Sequence, residues 1–180
     1  MLFRSWGDCD SDGDLDLAAG NRAEPNRVYT NSAGSLSLSW SSSETDYTRE
    51  VSWGDYDGDG DLDLLVANNG EPNRIYGNGG ACGFGLAWSS FNSANTFSAS
   101  GGDYDRDGDL DLVVGNNAAV SRVWRNQGSY SFDAVWASPG RYNTTSTAWA
   151  DFNGDGEKDF VLGVHSGPNM VFLHSSPWWV

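Results

Sequence analysis

Four short stretches of the chain concentrate its chemistry-bearing groups. They are Trp6-Gly-Asp-Cys-Asp-Ser-Asp-Gly-Asp-Leu-Asp-Leu, Trp53-Gly-Asp-Tyr-Asp-Gly-Asp-Gly-Asp-Leu-Asp-Leu, Gly101-Gly-Asp-Tyr-Asp-Arg-Asp-Gly-Asp-Leu-Asp-Leu and Trp149-Ala-Asp-Phe-Asn-Gly-Asp-Gly-Glu-Lys-Asp-Phe. Each follows the pattern D-x-[D/N]-x-D-G-x-x-D, with a further acid at position 7. The oxygen-bearing groups are Asp8, Asp10, Asp12, Asp14 and Asp16 in the first loop, and Asp55, Asp57, Asp59, Asp61 and Asp63 in the second. The third has Asp103, Asp105, Asp107, Asp109 and Asp111; the fourth has Asp151, Asn153, Asp155, Glu157 and Asp159. Carboxylates ~4 Å apart at an effective dielectric near 20 repel by roughly 4 kcal/mol per pair before screening. An empty loop would splay or take up protons, and a divalent cation removes the conflict. An all-oxygen donor set without His or Cys selects calcium over zinc. Up to four Ca²⁺ are therefore expected, one per loop.

The spacing matches the first nine positions of an EF-hand calcium loop, where positions 1, 3 and 5 give side-chain oxygens and position 7 a backbone carbonyl. Glycine at position 6 (Gly13, Gly60, Gly108 and Gly156) permits the sharp turn. The EF-hand's glutamate at position 12 is absent, and an Asp at position 9 closes the loop instead. Positions 1, 3, 5 and 9 are expected to ligate by side chain, and Asp14, Asp61, Asp109 and Glu157 at position 7 by carbonyl. Leu-Asp-Leu in strand alternation follows the first three loops, so an EF-hand helix is excluded. The fourth loop carries Asn153 at position 3 and Lys158 at position 8, which should make it the weakest site.

The loops explain the charge. The 180 residues hold 10 Lys+Arg and 25 Asp+Glu, a net of −15, and 19 of the 25 acids sit in the loops. Four Ca²⁺ would bring −15 to −7. A polyanionic surface argues against nucleic acid as a partner. No apolar run approaches the ~20 residues of a membrane span. The opening MLFRSWGD lacks the apolar core of a signal peptide, so an export signal is expected to lie outside these residues. Cys9 and Cys82 allow one pairing and match no zinc or redox spacing; two isolated thiols and one incidental bridge both remain open.

The loops recur because the chain is a tandem repeat. Asp8, Asp55, Asp103 and Asp151 are spaced by 47, 48 and 48 residues. A second signature keeps the period: Asn26-Arg-Val-Tyr, Asn73-Arg-Ile-Tyr, Ser121-Arg-Val-Trp and Asn169-Met-Val-Phe. Trp40, Trp88 and Trp136 form a third. In the second repeat, strands are predicted over 49–53, 62–67, 74–76 and 84–88, each stopped by turn residues, and no segment has helical period. Four short strands in about 48 residues are the size of one β-propeller blade; the rung of a β-solenoid is usually much shorter. The fold class is thus all-β, with just under four blades at approximately 1–46, 47–94, 95–142 and 143–180. A partial propeller, a four-bladed ring and an open array that pairs with other copies are the alternatives.

On these loops and signatures the chain resembles the FG-GAP/VCBS-type repeats of calcium-binding β-propellers, which include the head of integrin α chains and many bacterial surface proteins. The resemblance implies blade loops carrying structural calcium and a ring of seven or eight blades, more than this chain holds. Trp6, Trp53 and Trp149 are expected at blade-to-blade contacts. Trp40, Trp88 and Trp136 are assigned mainly to packing, with sugar stacking or subunit contact as the lesser reading. Adjacent Trp178 and Trp179 point to opposite faces of a strand, so one is exposed unless covered. His165 and His174 stand where other repeats carry Asn or similar residues and read as drift. Glu24, Glu44, Asp46, Glu50, Glu71 and Asp133 are left as scattered surface acids, so catalysis is not expected. Asn143-Thr-Thr is a glycosylation candidate, placed in the connection before the fourth blade. The expected function is a non-catalytic, calcium-stabilised structural or adhesion module at the cell surface or outside the cell. Its partners would be other copies of itself, or extracellular protein or glycan. A glycan-binding propeller and an accessory domain of a larger secreted enzyme are the alternatives.

Overall fold

The computed structural model describes residues 3–175 and 178–179, the last three of these by backbone alone. It is all-β. Blade one comprises β1 (Phe3–Gly7), β2 (Asp16–Gly20), β3 (Arg27–Ser32) and β4 (Ser35–Ser41). Blade two comprises β5 (Thr48–Gly54), β6 (Asp63–Asn68), β7 (Arg74–Asn78) and β8 (Phe84–Ser89). Blade three comprises β9 (Thr96–Gly102), β10 (Asp111–Ala119), β11 (Arg122–Asn126) and β12 (Phe132–Ala137). Blade four comprises β13 (Tyr142–Ala150), β14 (Asp159–Val164), β15 (Met170–Phe172) and a short pair, β16 (His174–Ser175) with β17 (Trp178–Trp179). The side chains of Trp178 and Trp179 lie outside the described residues.

In blades one to three the four strands pair antiparallel in chain order, and in blade four β13, β14 and β15 do so while β16 and β17 pair only with each other. The third and fourth strands of blades one to three share a register shift at Val28/Tyr29, Ile75/Tyr76 and Val123/Trp124. Such a bulge adds local twist. Blades are also joined by backbone pairing: Asn117 and Ala119 at the end of β10 pair with Asn143 and Tyr142, joining blades three and four in one sheet. Isolated bridges Arg22↔Tyr47 and Asn69↔Asn95 repeat that junction upstream. Asn143 therefore lies on β13 and not in a connection; its exposed side chain stays accessible.

The second strand of each blade shows why a blade cannot stand alone. In β6 every residue is buried, because its alternate side chains serve two neighbours. Leu64 and Val66, with Tyr76 and Phe84, pack against Ala18 and Val28 of blade one. Leu65 and Ala67, with Tyr56 and Ile75, pack against Leu112, Val114 and Trp124 of blade three. A third cluster joins Val113 and Val123 to Phe160 and Leu162 of blade four. The core is three blade junctions.

The tryptophans fill those junctions. Trp40 meets Tyr76 of the next blade edge-on with ring centroids 4.8 Å apart, Trp88 meets Trp124 at 5.4 Å, and Trp136 meets Phe172 at 4.7 Å. Trp53 and Trp149 lie over Gly7 and Gly102 of the preceding blade, where an added Cβ would come within 2.7 Å of the indole. Trp149 also donates its Nε1–H to the Ser100 carbonyl at 3.0 Å. Trp6, with no blade before it among the described residues, is 53% exposed.

The structure selects one of the two open readings of the cysteines and changes the reading of the scattered acids. Cys9 and Cys82 form a disulfide across the first junction, with Cα atoms 5.3 Å apart and both residues buried; folding brings together positions 73 apart in sequence. The acids assigned to the surface are partly structural. Asp46 pairs with Arg74 at 2.9 Å, Glu44 accepts the Tyr76 hydroxyl at 2.7 Å, and half-buried Glu50 accepts the Ala99 N–H at 2.8 Å. Burial pushes the Glu50 carboxyl above its usual range.

Candidate metal centres

Each aspartate loop leaves the innermost strand of a blade and returns as its second strand. The returning residue is loop position 9, and Asp16, Asp63, Asp111 and Asp159 there are wholly buried. Their burial is compensated by backbone donors. One carboxylate oxygen accepts the N–H of loop position 2, from Cys9, Tyr56, Tyr104 and Phe152, at 2.8–2.9 Å. The other accepts an N–H from the end of the third strand or just beyond it, from Asn31, Asn78, Asn126 and His174, at 2.7–2.8 Å. Position 9 thus pins the loop and the third strand to the second.

The loop then folds back on its own acids. Gly13, Gly60 and Gly156 donate their N–H to the carboxylate at position 1. Gly13, Gly60, Gly108 and Gly156 have φ of +93°, +95°, +97° and +87°, a left-handed turn that favours glycine. At position 5, Asp12, Asp59, Asp107 and Asp155 each accept the N–H of position 7.

These bonds draw positions 1, 3 and 9 together. Carboxylate oxygens of Asp8, Asp10 and Asp16 lie within 4.8 Å of one another, as do those of Asp55, Asp57 and Asp63 and those of Asp103, Asp105 and Asp111. Position 5, expected from sequence to ligate by side chain, accepts the position-7 N–H through one carboxylate oxygen, Oδ1. The donor sets suit a hard divalent cation. In the third loop, Asp103 Oδ1 and Asp105 Oδ1 are buried without a hydrogen-bond partner, an arrangement that a cation would satisfy. Burial, with the neighbouring Asp105 and Asp107 charges, pushes the Asp111 carboxyl up to about 7, despite the two N–H bonds that oppose the shift. Burial also raises Asp10, Asp63 and Asp105.

The fourth loop is built differently. Asp151, Asn153 and Asp155 are exposed. Asn153 Nδ2 donates to Asp155 at 2.7 Å, so the amide does work that a cation could do. Arg106 reaches over from the third loop to Glu157 at 3.2 Å. Hydrogen bonds from the Glu157 N–H and Asn153 hold the Asp155 carboxyl below its usual range.

Neighbouring blades brace the loops through residues that sequence reasoning passed over. Asn78 Nδ2 donates to the Cys9 carbonyl of blade one at 2.8 Å, and Asn126 Nδ2 to the Tyr56 carbonyl of blade two at 2.7 Å. At the Cys82 register, Tyr130 donates its hydroxyl to Asp63 at 3.0 Å. The signal was present, since Asn31, Asn78 and Asn126 recur at the blade period. His174 occupies that register in blade four, packing against Tyr104 with ring centroids 5.3 Å apart. It is a junction residue, where the sequence read drift. Cys9 and Cys82 also approach Asp16, but their sulfurs are joined and are not metal ligands.

Solved structures share this architecture. A crystal structure of BBS1N in complex with ARL6DN, soaked with lead, matches with a TM-score of 0.65 at 12% identity, over 96% of this chain and 50% of that one. The same complex soaked with mercury matches at 0.63 and 14% identity, over 95% and 46%. This chain therefore spans about half the length of those chains, and the likeness is one of fold. No curated protein sequence matches the chain. The FG-GAP-like repeat matches three times in overlapping windows, at residues 8–66, 55–114 and 103–162, each holding two aspartate loops: this propeller-like chain belongs to the FG-GAP-like repeat family.

Proposed function

We propose that the chain is a calcium-ordered, non-catalytic interaction module working outside the cell, as a structural or adhesion part with protein partners. The observation that carries the reading is the same three-carboxylate cluster at the same point of three successive blades. Positions 1, 3, 5 and 9 would hold Ca²⁺ by side chain, with the position-7 carbonyl, and the ion would supply charge neutralisation. A loop so closed can fix the blade top as a rigid surface.

Three further observations support this. Extracellular calcium fills sites of modest affinity that cytosolic levels leave empty. A disulfide between blades suits an oxidising compartment. The structural neighbour BBS1N was solved in complex with ARL6DN, a protein partner on a propeller of this fold. The acids outside the loops, Asp46 and Glu44 among them, are tied to Arg74 and Tyr76, and both cysteines are oxidised. Trp40, Trp88 and Trp136 are engaged in blade junctions, so the glycan reading gains no support.

Thermal unfolding with and without chelator tests the proposal. Removing calcium should lower the melting temperature by at least several degrees, with recovery on adding Ca²⁺ but not Mg²⁺. An unchanged melt would refute it.

A further inference from the structure

Each internal junction joins the back of one blade to the front of the next, and among the described residues one front and one back have no blade against them. On blade one, Trp6, Leu17, Tyr29 and Leu36 stand at the registers of Trp53, Leu64, Tyr76 and Phe84, which pack against the preceding blade. Here Trp6 is 53% and Leu36 45% exposed, and a cavity of ≈ 310 Å³ opens among Leu17, Ala19, Tyr29 and Leu36. That cavity corresponds to the seat beside Tyr76 that Trp40 fills. On blade four, Phe152, Val161 and Val171 stand at the registers of Tyr56, Leu65 and Ile75, all buried against blade three. Phe152 and Val171 are each 48% exposed.

We infer that these two faces are complementary, and that two copies of this chain join head to tail, the back of blade four on the front of blade one. At the registers just named the internal junctions define the fit, which singles out a copy of the same blades as occupant. The contact is heterologous, using different patches on the two copies, and such contacts either close into rings or propagate. Four blades make up about half the length of the matched propeller chains, so two copies supply enough blades to close one ring. Ala150 replaces the glycine that seats Trp149 at Gly102. Its methyl holds Trp6 farther out, which makes the junction between copies weaker than the internal ones and reversible. The inference goes beyond the calcium reading and stands without it.

Sedimentation velocity on residues 1–180 in saturating Ca²⁺, at tens to hundreds of micromolar, tests it. The wild type should sediment at twice the 19.4 kDa chain mass. A front variant, Trp6→Glu with Leu36→Glu, and a back variant, Phe152→Glu with Val171→Glu, should each weaken association about a hundredfold, the loss expected of central contacts. An equimolar mixture of the two variants should pair again, through the one junction still intact. Circular dichroism and the calcium-dependent melt report whether each variant is folded. A wild type that stays monomeric, or a mixture no better than either variant alone, overturns the inference. Either result leaves the calcium melt free to succeed or fail separately.

Discussion

A carboxylate can serve as a metal ligand, as a structural acceptor, or as both, and Asp111 and Asp107 separate these roles. Asp111 is wholly buried and accepts N–H groups from Tyr104 and Asn126; Asp107 is exposed and accepts only the Asp109 N–H within its own loop. Replacing Asp111 with Asn turns an amide N–H₂ toward one of two backbone donors, leaving a buried donor unsatisfied at about 1–3 kcal/mol. Asp111→Asn should therefore destabilise the protein in chelator, through the lost pin, and more strongly in calcium, through the lost ligand. Asp107→Asn should leave the chelated protein unchanged and alter only the calcium-loaded melt. Urea unfolding of both variants in both conditions checks this, and a purely calcium-dependent loss for Asp111→Asn would remove its role as a pin. The loops were legible in sequence because four copies align the acid spacing. The division of labour among the acids was not, because Asp111's second donor, Asn126, lies 15 residues away on another strand.

At the scale of elements, the strand order of each blade was legible, since short apolar runs between turn residues leave little choice of local structure. Junction chemistry was harder to see because it depends on which repeats become neighbours. Thr48, Thr96 and Thr144 recur every 48 residues and are fully buried. Thr48 Oγ1 lies 3.0 and 2.9 Å from the Oδ1 atoms of Asn26 and Asn68 and donates its one proton to this pair, Thr96 Oγ1 donates to Asn116, and the Thr144 hydroxyl lies 3.0 Å from that of Ser121. Hydroxyls spaced this way look like surface strand residues until blades are stacked. The disulfide is the extreme case: a single pair of cysteines carries no period, so nothing in the sequence tied it to a junction. It closes a span of 73 residues, which in the chain-entropy account stabilises the fold by about 4 kcal/mol. Cys9→Ala with Cys82→Ala should lower the melting temperature by about 10 °C for a chain of this size. The same loss should appear in chelator, because the constraint acts on the unfolded chain. A shift below about 2 °C would show that packing of Trp40 and Trp53 on Phe84 holds the first junction unaided.

For the whole molecule, 19 of the 25 acids lie in four loops, three that gather their carboxylates and one that bridges its carboxylates with its own groups. The fourth loop has no cluster of three carboxylates among the described residues. It uses Asn153 to bridge Asp155, and borrows a positive charge from Arg106. Arg106 itself sits at φ +63°, at the register where loops two and four carry Gly58 and Gly154 at +78° and +77°. Arg106→Gly therefore fits the backbone while removing the guanidinium from the fourth loop. Native mass spectrometry during a Ca²⁺ titration should show three ions entering before the fourth, passing through a species of net charge −9. In Arg106→Gly the fourth ion should enter at about threefold lower calcium, the scale of one exposed charge pair, with the first two loops unaffected. Four equal steps in the wild type would show that Asn153 and Arg106 do not weaken the site. An unmoved fourth step in the variant would confine the weakness to Asn153 and Lys158, the two departures internal to that loop.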